Sequence, residues 1–359
     1  MAGRFAAGDR VGEIEVFRRG HIHSSFRVAI GEGADKRRIL LQRVNDRVFF
    51  DPAAVDRNIR SITDHLRRAV QRLGVGPERR VLELLVGDGG ETLLRDREGG
   101  WWRAYRFVEN AVPADEVNER IVERAARAYG DFQRLLIDYD GPALSETIPG
   151  FHDTPRRLDA LEAAVREDPH GRLTRVRTEV DSILDRRRLG STLVADLDLP
   201  MRIVHNDAKL DNVLFDAATG EGLCVVDLDT VMLGFVGYDF GDMVRSMSVT
   251  GSEDGVESEA AGIREEFFGA VVRGYLRAMG GVLTPCEIAT LVPSGVVLTL
   301  EQAARFLTDH LVGDTYYRIE RPDHNLDRAR AQLLILESLL AAGPRLEAIV
   351  ERELRNVER

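Results

Sequence analysis

The sequence predicts an α+β protein of two parts, a small β-sheet lobe carrying one helix and a larger, mainly helical lobe. Three features carry that expectation. Residues 10–44 hold alternating and β-branched runs (VGEIEVF, SSFRVAIGEG, RRILLQRV) bounded by glycine, the pattern of strands. Residues 51–73 switch to helical spacing, after which strand-like runs return at VLELLV, ETLLRD and WWRAYRFVEN. From Pro113 onward strands nearly vanish, so the expected division is residues 1–109 against 110–359.

Taken in order, the first strands require turns near Gly20 and across Gly33 to Lys36. In the helix at 51–73, Pro52 suits the first turn, and Val55, Ile59, Ile62, Leu66, Ala69, Val70 and Leu73 form one apolar face. Gly-rich turns at 87–90 and 99–100 separate the returning strands, for a sheet of about five strands interrupted by one helix. Helical patterns follow at 114–137, 155–167 and 173–188, and again at 262–278, 291–309 and 326–355. Between these sets, IVHNDAKLDNVLFD and GLCVVDLDTV read as short strands flanking polar loops. No internal repeat is present.

Composition excludes several classes. The 359 residues are 44% hydrophobic and 30% charged, enough apolar content for a packed core. A net charge of −11 disfavours nucleic acid and anionic membrane as partners. Two cysteines, Cys224 and Cys286, exclude a disulfide framework and fit a reducing, cytoplasmic setting. The opening run MAGRFAAGDRVGEIEV is too polar for a signal peptide, and no apolar run approaches the ~20 residues that span a bilayer. Only Lys36 and Lys209 are lysines among 49 basic residues, which draws attention to both, because a compact ammonium does chemistry a guanidinium does not copy.

Lys209 lies in the strongest motif. His205-Asn206-Asp207-Ala208-Lys209-Leu210-Asp211-Asn212 has the spacing H-x-D-x-x-x-x-N, and Asp227 follows in the apolar run LCVVDLD. That is the arrangement of a kinase catalytic loop and its metal-binding Asp. Asp207 is then the base that accepts the proton of an attacking hydroxyl, and Lys209 neutralises charge on the transferred phosphoryl group. Asn212 and Asp227 supply hard oxygen ligands for Mg²⁺ bound with the ATP phosphates. The string alone also describes a polar turn between core strands. The downstream Asp, the β-then-α order and the retained Lys209 favour the catalytic reading.

With these residues the chain resembles the aminoglycoside phosphotransferase and choline kinase superfamily, which has a bilobal protein-kinase-like fold. It is most similar to the N-acetylhexosamine 1-kinase subgroup, through LQRVNDRVFFDP, ETIPGFHDTPRR, HNDAKLDNVLFD, CVVDLDTVMLGFVGYDFGDMVR and EQAARFLTDHLVGDTYYR. The resemblance implies a nucleotide-binding first lobe, a second lobe with the catalytic loop and substrate pocket, and ATP with Mg²⁺ as cofactors. The implied reaction is phosphorylation of the anomeric hydroxyl of a small-molecule sugar, N-acetylglucosamine or N-acetylgalactosamine. Asp229 is an alternative ligand, and Asp239 is expected to hold the catalytic loop by hydrogen bonds. Arg305, Asp309 and Tyr317 fall in the phrase associated with the sugar pocket. Arg305 and Asp309, four apart, either bracket the sugar or form a plain helical salt bridge.

The nucleotide side departs from the kinase pattern. The turn Gly20-His21-Ile22-His23-Ser24-Ser25 has one glycine, leaving backbone N–H groups and the Ser24 and Ser25 hydroxyls to cap phosphates. His21 and His23 form an H-x-H without a third metal ligand in view. On the third strand, where a phosphate-binding Lys is expected, stand Gln42 and Arg43, of which alternation lets one face the nucleotide. The helix at 51–73 contains no Glu to pair with such a cation. Adenine is expected against the backbone near Glu109. Two other readings follow: a phosphotransferase for an aminoglycoside or another small alcohol, and a catalytically inactive kinase-fold binding protein.

Overall fold

The computed structural model describes residues 1–17, 22–33, 36–114, 116–193, 198–250 and 261–357. Gly20 and His21 of the first turn lie outside them. The chain divides into two compact units of three segments each. The first contains Met1–Pro113, Leu135–Pro149 and Leu214–Met232; the second contains Ala114–Arg134, Gly150–Val213 and Leu233–Arg359.

The first unit opens with a short helix, α1 (Ala2–Phe5), and continues through β1 (Val11–Phe17), β2 (Ser24–Ile30) and β3 (Arg37–Arg43). After helix α2 (Pro52–Arg72) come β4 (Leu93–Arg95) and β5 (Trp101–Arg106). The five strands form an antiparallel sheet in the order β1-β2-β3-β5-β4. Val28, Ile30, Ile39, Leu41, Leu94 and Ala104 pack with Phe5 and Ala6 of the N-terminal segment into one core cluster. Helix α2 starts where the Asp51 carboxylate accepts the Ala54 N–H at 2.9 Å, with Pro52 in the first turn. Its expected apolar face is buried except for Leu73, which is the C-cap and is exposed.

The expected strand at 81–86 is reduced to a single bridge, Leu84 with Tyr105. The reason is competition for one edge, since β4 pairs with Trp101, Trp102 and Arg103 of β5. Only the end of β5 is left, where Leu85 N–H meets Ala104 O at 2.8 Å and Arg106 N–H meets Glu83 O at 2.9 Å. A second, three-stranded sheet follows the order β6-β8-β9, from β6 (Ala111–Val112), β8 (Val213–Asp216) and β9 (Gly222–Val225).

Among its described residues the second unit is helical, apart from β7 (Arg202–Val204) and its partner β10 (Met232–Gly234). Its helices are α3 (Glu119–Leu135), α4 (Thr154–Glu167), α5 (Arg177–Leu184), α6 (Val236–Met247), α7 (Glu265–Met279), α8 (Pro285–Ala289), α9 (Leu291–Leu311) and α10 (His324–Val357). The helix expected over 173–188 breaks into α5 and flanking 3₁₀ turns, because Val176, at φ −126°, leaves helical geometry. Helix α9 is surrounded by α4, α6 and α10, which is why it is apolar on nearly every side. Close packing depends on glycine at two crossings. A Cβ on Gly241 of α6 would lie 2.4 Å from the Ser294 carbonyl oxygen, and one on Gly274 of α7 would lie 2.1 Å from that of Glu123. Among the described residues no helix is long and apolar enough to cross a membrane.

Candidate active site

In the second unit, the segment after β7 turns sharply because Asn206 adopts φ +65°. Fully buried Asp239, in the first turn of α6, holds that turn. Its carboxylate accepts the His205 N–H at 2.8 Å and the Asn206 N–H at 2.6 Å. Gln133 donates to the same carboxylate at 2.7 Å and accepts from the Tyr275 hydroxyl at 2.6 Å. Buried His205 lies edge-on to Tyr129 and Phe132, and its Nδ1 accepts the Asp207 N–H at 3.2 Å. Tyr129 donates its hydroxyl to the Lys209 carbonyl at 2.8 Å. The loop backbone is thereby anchored at successive residues.

Asp207, Lys209 and Asn212 come together. Asn212 Nδ2 donates to the Asp207 carbonyl at 2.9 Å and to its Oδ2 at 2.8 Å, and the Lys209 ammonium lies 3.0 Å from the same oxygen. Burial pushes the Asp207 carboxyl up, but Lys209, His205 and Asn212 outweigh it and hold the group below its ordinary value. Asp207 is therefore ionised at neutral pH, as a base must be. With its amide nitrogen committed to Asp207, Asn212 has Oδ1 as the atom to offer a cation.

Arg305, Asp309 and Tyr317 also gather in this unit, and of the two readings of Arg305 with Asp309 the plain helical salt bridge does not form. The Asp309 carboxylate instead accepts the N–H groups of Thr315, Tyr316 and Tyr317 at 2.8–2.9 Å and the Asn325 amide at 2.8 Å. It shapes the loop that carries the two tyrosines. The Arg305 guanidinium lies 4.9 Å from the Phe151 ring centroid, 6.0 Å from Tyr316 and 5.7 Å from Tyr317. Gln302 accepts from Arg305 at 3.3 Å and donates to the Tyr317 hydroxyl at 3.2 Å.

In the first unit, Asp227 stands at φ +63° before the 3₁₀ turn Leu228–Thr230. His23, Asp227 and Asp229 offer ligand atoms all within 4.8 Å of one another. Asp229 does not suit a cation, however, because Arg103 Nη1 and Nη2 donate to its two oxygens at 2.8 and 2.7 Å. Because His23 Nδ1 accepts the Asn45 N–H at 3.1 Å, its Nε2 carries the proton and donates to Asp229, also at 3.1 Å. Burial opposes ionisation of Asp229, yet Arg103 and His23 hold its carboxyl far below the usual range. Each unit thus offers one hard oxygen donor of the kind a divalent cation takes, the Asp227 carboxylate in the first and the Asn212 amide oxygen in the second.

The strand register places the nucleotide-side residues. Ser24 and Ser25 are the first residues of β2 rather than part of the turn before it. Ser25 pairs with Gln42, which pairs with Arg103. Gln42 donates to the Ser25 hydroxyl at 3.1 Å and accepts from Arg103 Nε at 3.0 Å, whereas Arg43, one residue on, is exposed. Ser24 is exposed and Ser25 buried, so only the Ser24 hydroxyl is open to solvent. The Glu109 side chain is paired with Arg38, and its carbonyl accepts from Arg79 at 2.7 Å. Sequence reading missed Arg103, His152, Glu301 and Gln133. Two faint signals existed: an Arg among apolar residues of the WWRAYR strand, and the His of ETIPGFHDTPRR.

A sequence model of the phosphotransferase enzyme family matches residues 13–282, a span that includes the loop at 205–212 and Asp227. Similar solved structures include a microcompartment-associated aminopropanol kinase, 16% identical, with a TM-score of 0.55 over 95% of this chain and 94% of that one. A spectinomycin phosphotransferase in complex with ADP and spectinomycin is 12% identical, with a TM-score of 0.53 over 94% of each chain. The choline kinase of Cryptosporidium parvum Iowa II is 12% identical, with a TM-score of 0.53 over 96% of this chain and 93% of that one. These likenesses show the α+β, kinase-like fold. The match over most of the chain, reaching from the small sheet through the loop that carries Asp207, shows that this protein is a phosphotransferase belonging to the phosphotransferase enzyme family.

Proposed function

We propose that the protein is an ATP-dependent kinase that phosphorylates the anomeric hydroxyl of an N-acetylhexosamine, giving the sugar 1-phosphate and ADP. The observation that carries phosphoryl transfer to an alcohol is the ionised Asp207, held between Lys209 and Asn212 on an anchored loop. In this reading Asp207 orients the acceptor hydroxyl and takes its proton, while Lys209 meets the charge of the transferred group. Mg²⁺, held by Asp227 and the Asn212 amide oxygen, would neutralise ATP phosphate charge. Ser24, Arg43 and the backbone near Glu109 are the nucleotide contacts proposed for the first unit, and Gln42 and Ser25 act by holding Arg103 and the strand pair. Most of the rate enhancement then comes from positioning and electrostatics.

The acceptor class is argued from Arg305. The similar solved structures are of kinases or phosphotransferases for aminopropanol, choline and spectinomycin, but aromatic rings that receive a cationic acceptor must be open to it. Here Phe151, Tyr316 and Tyr317 already face the Arg305 guanidinium. A fixed cation repels an amine and donates well to a neutral acetamido sugar, with Gln302 and Tyr317 beside it. A cytoplasmic location belongs to the same proposal, with both cysteines unpaired.

The test is to incubate the protein with ATP, Mg²⁺ and a panel of N-acetylglucosamine, N-acetylgalactosamine, glucosamine, galactose, choline and kanamycin. ADP release is followed, and phosphorus NMR locates the product phosphate. A 1-phosphate of an acetamido sugar supports the proposal. Turnover with choline or kanamycin alone would retain the phosphotransferase and overturn the sugar.

A further inference from the structure

His152 lies in the segment between the first and second helices of the second unit and is buried. Both of its ring nitrogens face acceptors. Nδ1 is 2.9 Å from Glu301 Oε1 on α9, and Nε2 is 2.9 Å from the Asn206 carbonyl. A carbonyl can only accept, and an ionised carboxylate can only accept, so this geometry is filled by an imidazolium with a proton on each nitrogen. The other oxygen of Glu301 accepts the Thr154 hydroxyl at 2.7 Å, which completes its hydrogen bonding with donors alone. Arg305 is one helical turn further on, 3.9 Å from Glu301.

The bond to Asn206 falls on a sensitive peptide. Asn206 holds a left-handed conformation, its N–H is taken by Asp239 at 2.6 Å, and its carbonyl belongs to the peptide link that leads into Asp207. Asp239 and His152 therefore grip the two sides of the residue that aims the base.

We propose that His152 and Glu301 are positioning residues: a protonated His152, held by Glu301, fixes the Asn206 carbonyl and so the direction in which Asp207 is presented. This rests on the phosphotransfer reading for its kinetic consequences, but the structural arrangement stands apart from any acceptor. The groups facing His152 are Glu301 and Arg305 from α9, the ring of Tyr238 from α6 at 5.0 Å, and the neighbouring Phe151 ring at 4.6 Å. Burial and the Arg305 charge lower the His152 pKa, and Glu301 and the Asn206 carbonyl reverse that, leaving it above its ordinary value. The same pairing keeps the Glu301 carboxyl below its ordinary value despite burial. As pH rises, loss of the His152 proton removes one of the two imidazole donations, to Glu301 or to the Asn206 carbonyl, and the aim of Asp207 slackens.

Three variants of the full chain test this. In His152→Gln, the amide nitrogen takes the place of Nε2 and can still donate to Asn206. His152→Leu removes the donor, and Glu301→Gln keeps the shape while removing the charge that retains the proton. The first readout needs no substrate. Imidazole nitrogen NMR of His152 should show a titration midpoint about one unit or more lower in Glu301→Gln than in the wild type. Amide exchange of residues 203–209 should quicken roughly tenfold in His152→Leu beyond what its loss of global stability accounts for.

The second readout is kinetic. His152→Leu should lose about 100-fold in kcat with little change in the KM for ATP, because a slightly misaimed base costs chemistry rather than nucleotide binding. His152→Gln should recover most of that loss and show no alkaline decline from residue 152, and Glu301→Gln should move the alkaline limb of kcat to lower pH. Identical His152 titration in the wild type and Glu301→Gln, or unchanged loop exchange in folded His152→Leu, would overturn the proposal. If the wild type turns over no acceptor, the phosphotransfer reading fails while the NMR and exchange results still decide the positioning role. Should His152→Leu fail to fold, Glu301→Gln and His152→Gln carry the decision.

Discussion

Arg103 and Asp229 form a two-pronged ion pair at 2.7 and 2.8 Å, buried within the first unit, and Gln42 of β3 accepts from the third nitrogen of the same guanidinium. The third strand thus carries no cation at Gln42, and the buried charge stands one strand over on β5. The pair fixes the turn immediately after Asp227, so an arginine 126 positions from its partner steadies the segment that offers the expected metal ligand.

Arg103→Met would leave the Asp229 carboxylate buried without its main partner. Breaking one side of a buried pair costs about 3–5 kcal/mol, whereas removing both charges is far milder. Urea unfolding should show that loss in Arg103→Met and recover much of it in Arg103→Met with Asp229→Asn. A single variant as stable as the wild type would mean the pair does not hold this turn.

Acid sensitivity is also readable at Asp216. The N–H of Thr219, the Arg79 guanidinium and the N–H of Ala218 donate to its carboxylate and lower its pKa to about 2. Because the folded value lies below the unfolded one of about 3.9, the group stabilises the fold above that pH and loses this contribution as pH falls toward 2. Asp216→Asn should flatten the pH dependence of stability across that window, measured by thermal unfolding in a buffer series. Carbon NMR of Asp216 should place its midpoint in the same range. An ordinary midpoint near 3.9 would remove the basis for the effect.

What could be read beforehand was what depends on short spacing. The stripe of α2 and its Asp51 cap, the strand alternation of β2 and β3 and the H-x-D-x-x-x-x-N loop each lie within a few turns of chain. The run 81–86 looked like a full strand because nothing local says that β4 takes most of the β5 edge first. Asp309 looked like a partner for Arg305 because both are one turn apart on α9. The loop that captures its carboxylate is specified by Gly313 at φ +102° and Asp314 at φ +59°, which reverse the chain beyond the helix. Arg103 with Asp229 and His152 with Glu301 are separated by 126 and 149 positions, and no periodicity joins residues so far apart.

The arrangement of Lys209 and Asp207 separates two effects. Asp207→Asn removes the proposed base and should cut kcat by about 10²–10⁴-fold at unchanged stability. Lys209→Met removes the ammonium 3.0 Å from the Asp207 carboxylate, and that charge helps hold its pKa down. The acid limb of kcat/KM should therefore move to higher pH in Lys209→Met, toward or above the ordinary carboxylate value, along with a lower maximum. Lys209→Arg retains the charge and should retain the limb. An acid limb unmoved in Lys209→Met would show that Asp207 is not the group titrating there.

Arg305 offers the sharpest test of acceptor class. Its guanidinium faces three aromatic rings, with Glu301 one turn earlier on α9, so Arg305→Met removes the cation those rings face while leaving Phe151, Tyr316 and Tyr317 in place. If a neutral acetamido sugar takes hydrogen bonds from Arg305, the sugar KM should rise roughly 10–100-fold, since losing a charge-assisted bond costs about 1.5–3 kcal/mol. The same variant should admit a quaternary ammonium alcohol better than the wild type does, because open aromatic faces attract a cation that Arg305 otherwise repels. Asp309→Ala provides the control. It releases the Thr315, Tyr316 and Tyr317 N–H groups, so the sugar KM should rise with no gain for choline. Steady-state kinetics with N-acetylglucosamine and choline across the three proteins decides the matter. A gain for choline without a loss for the sugar would remove Arg305 from the acceptor contacts and leave it as a guard against cations alone.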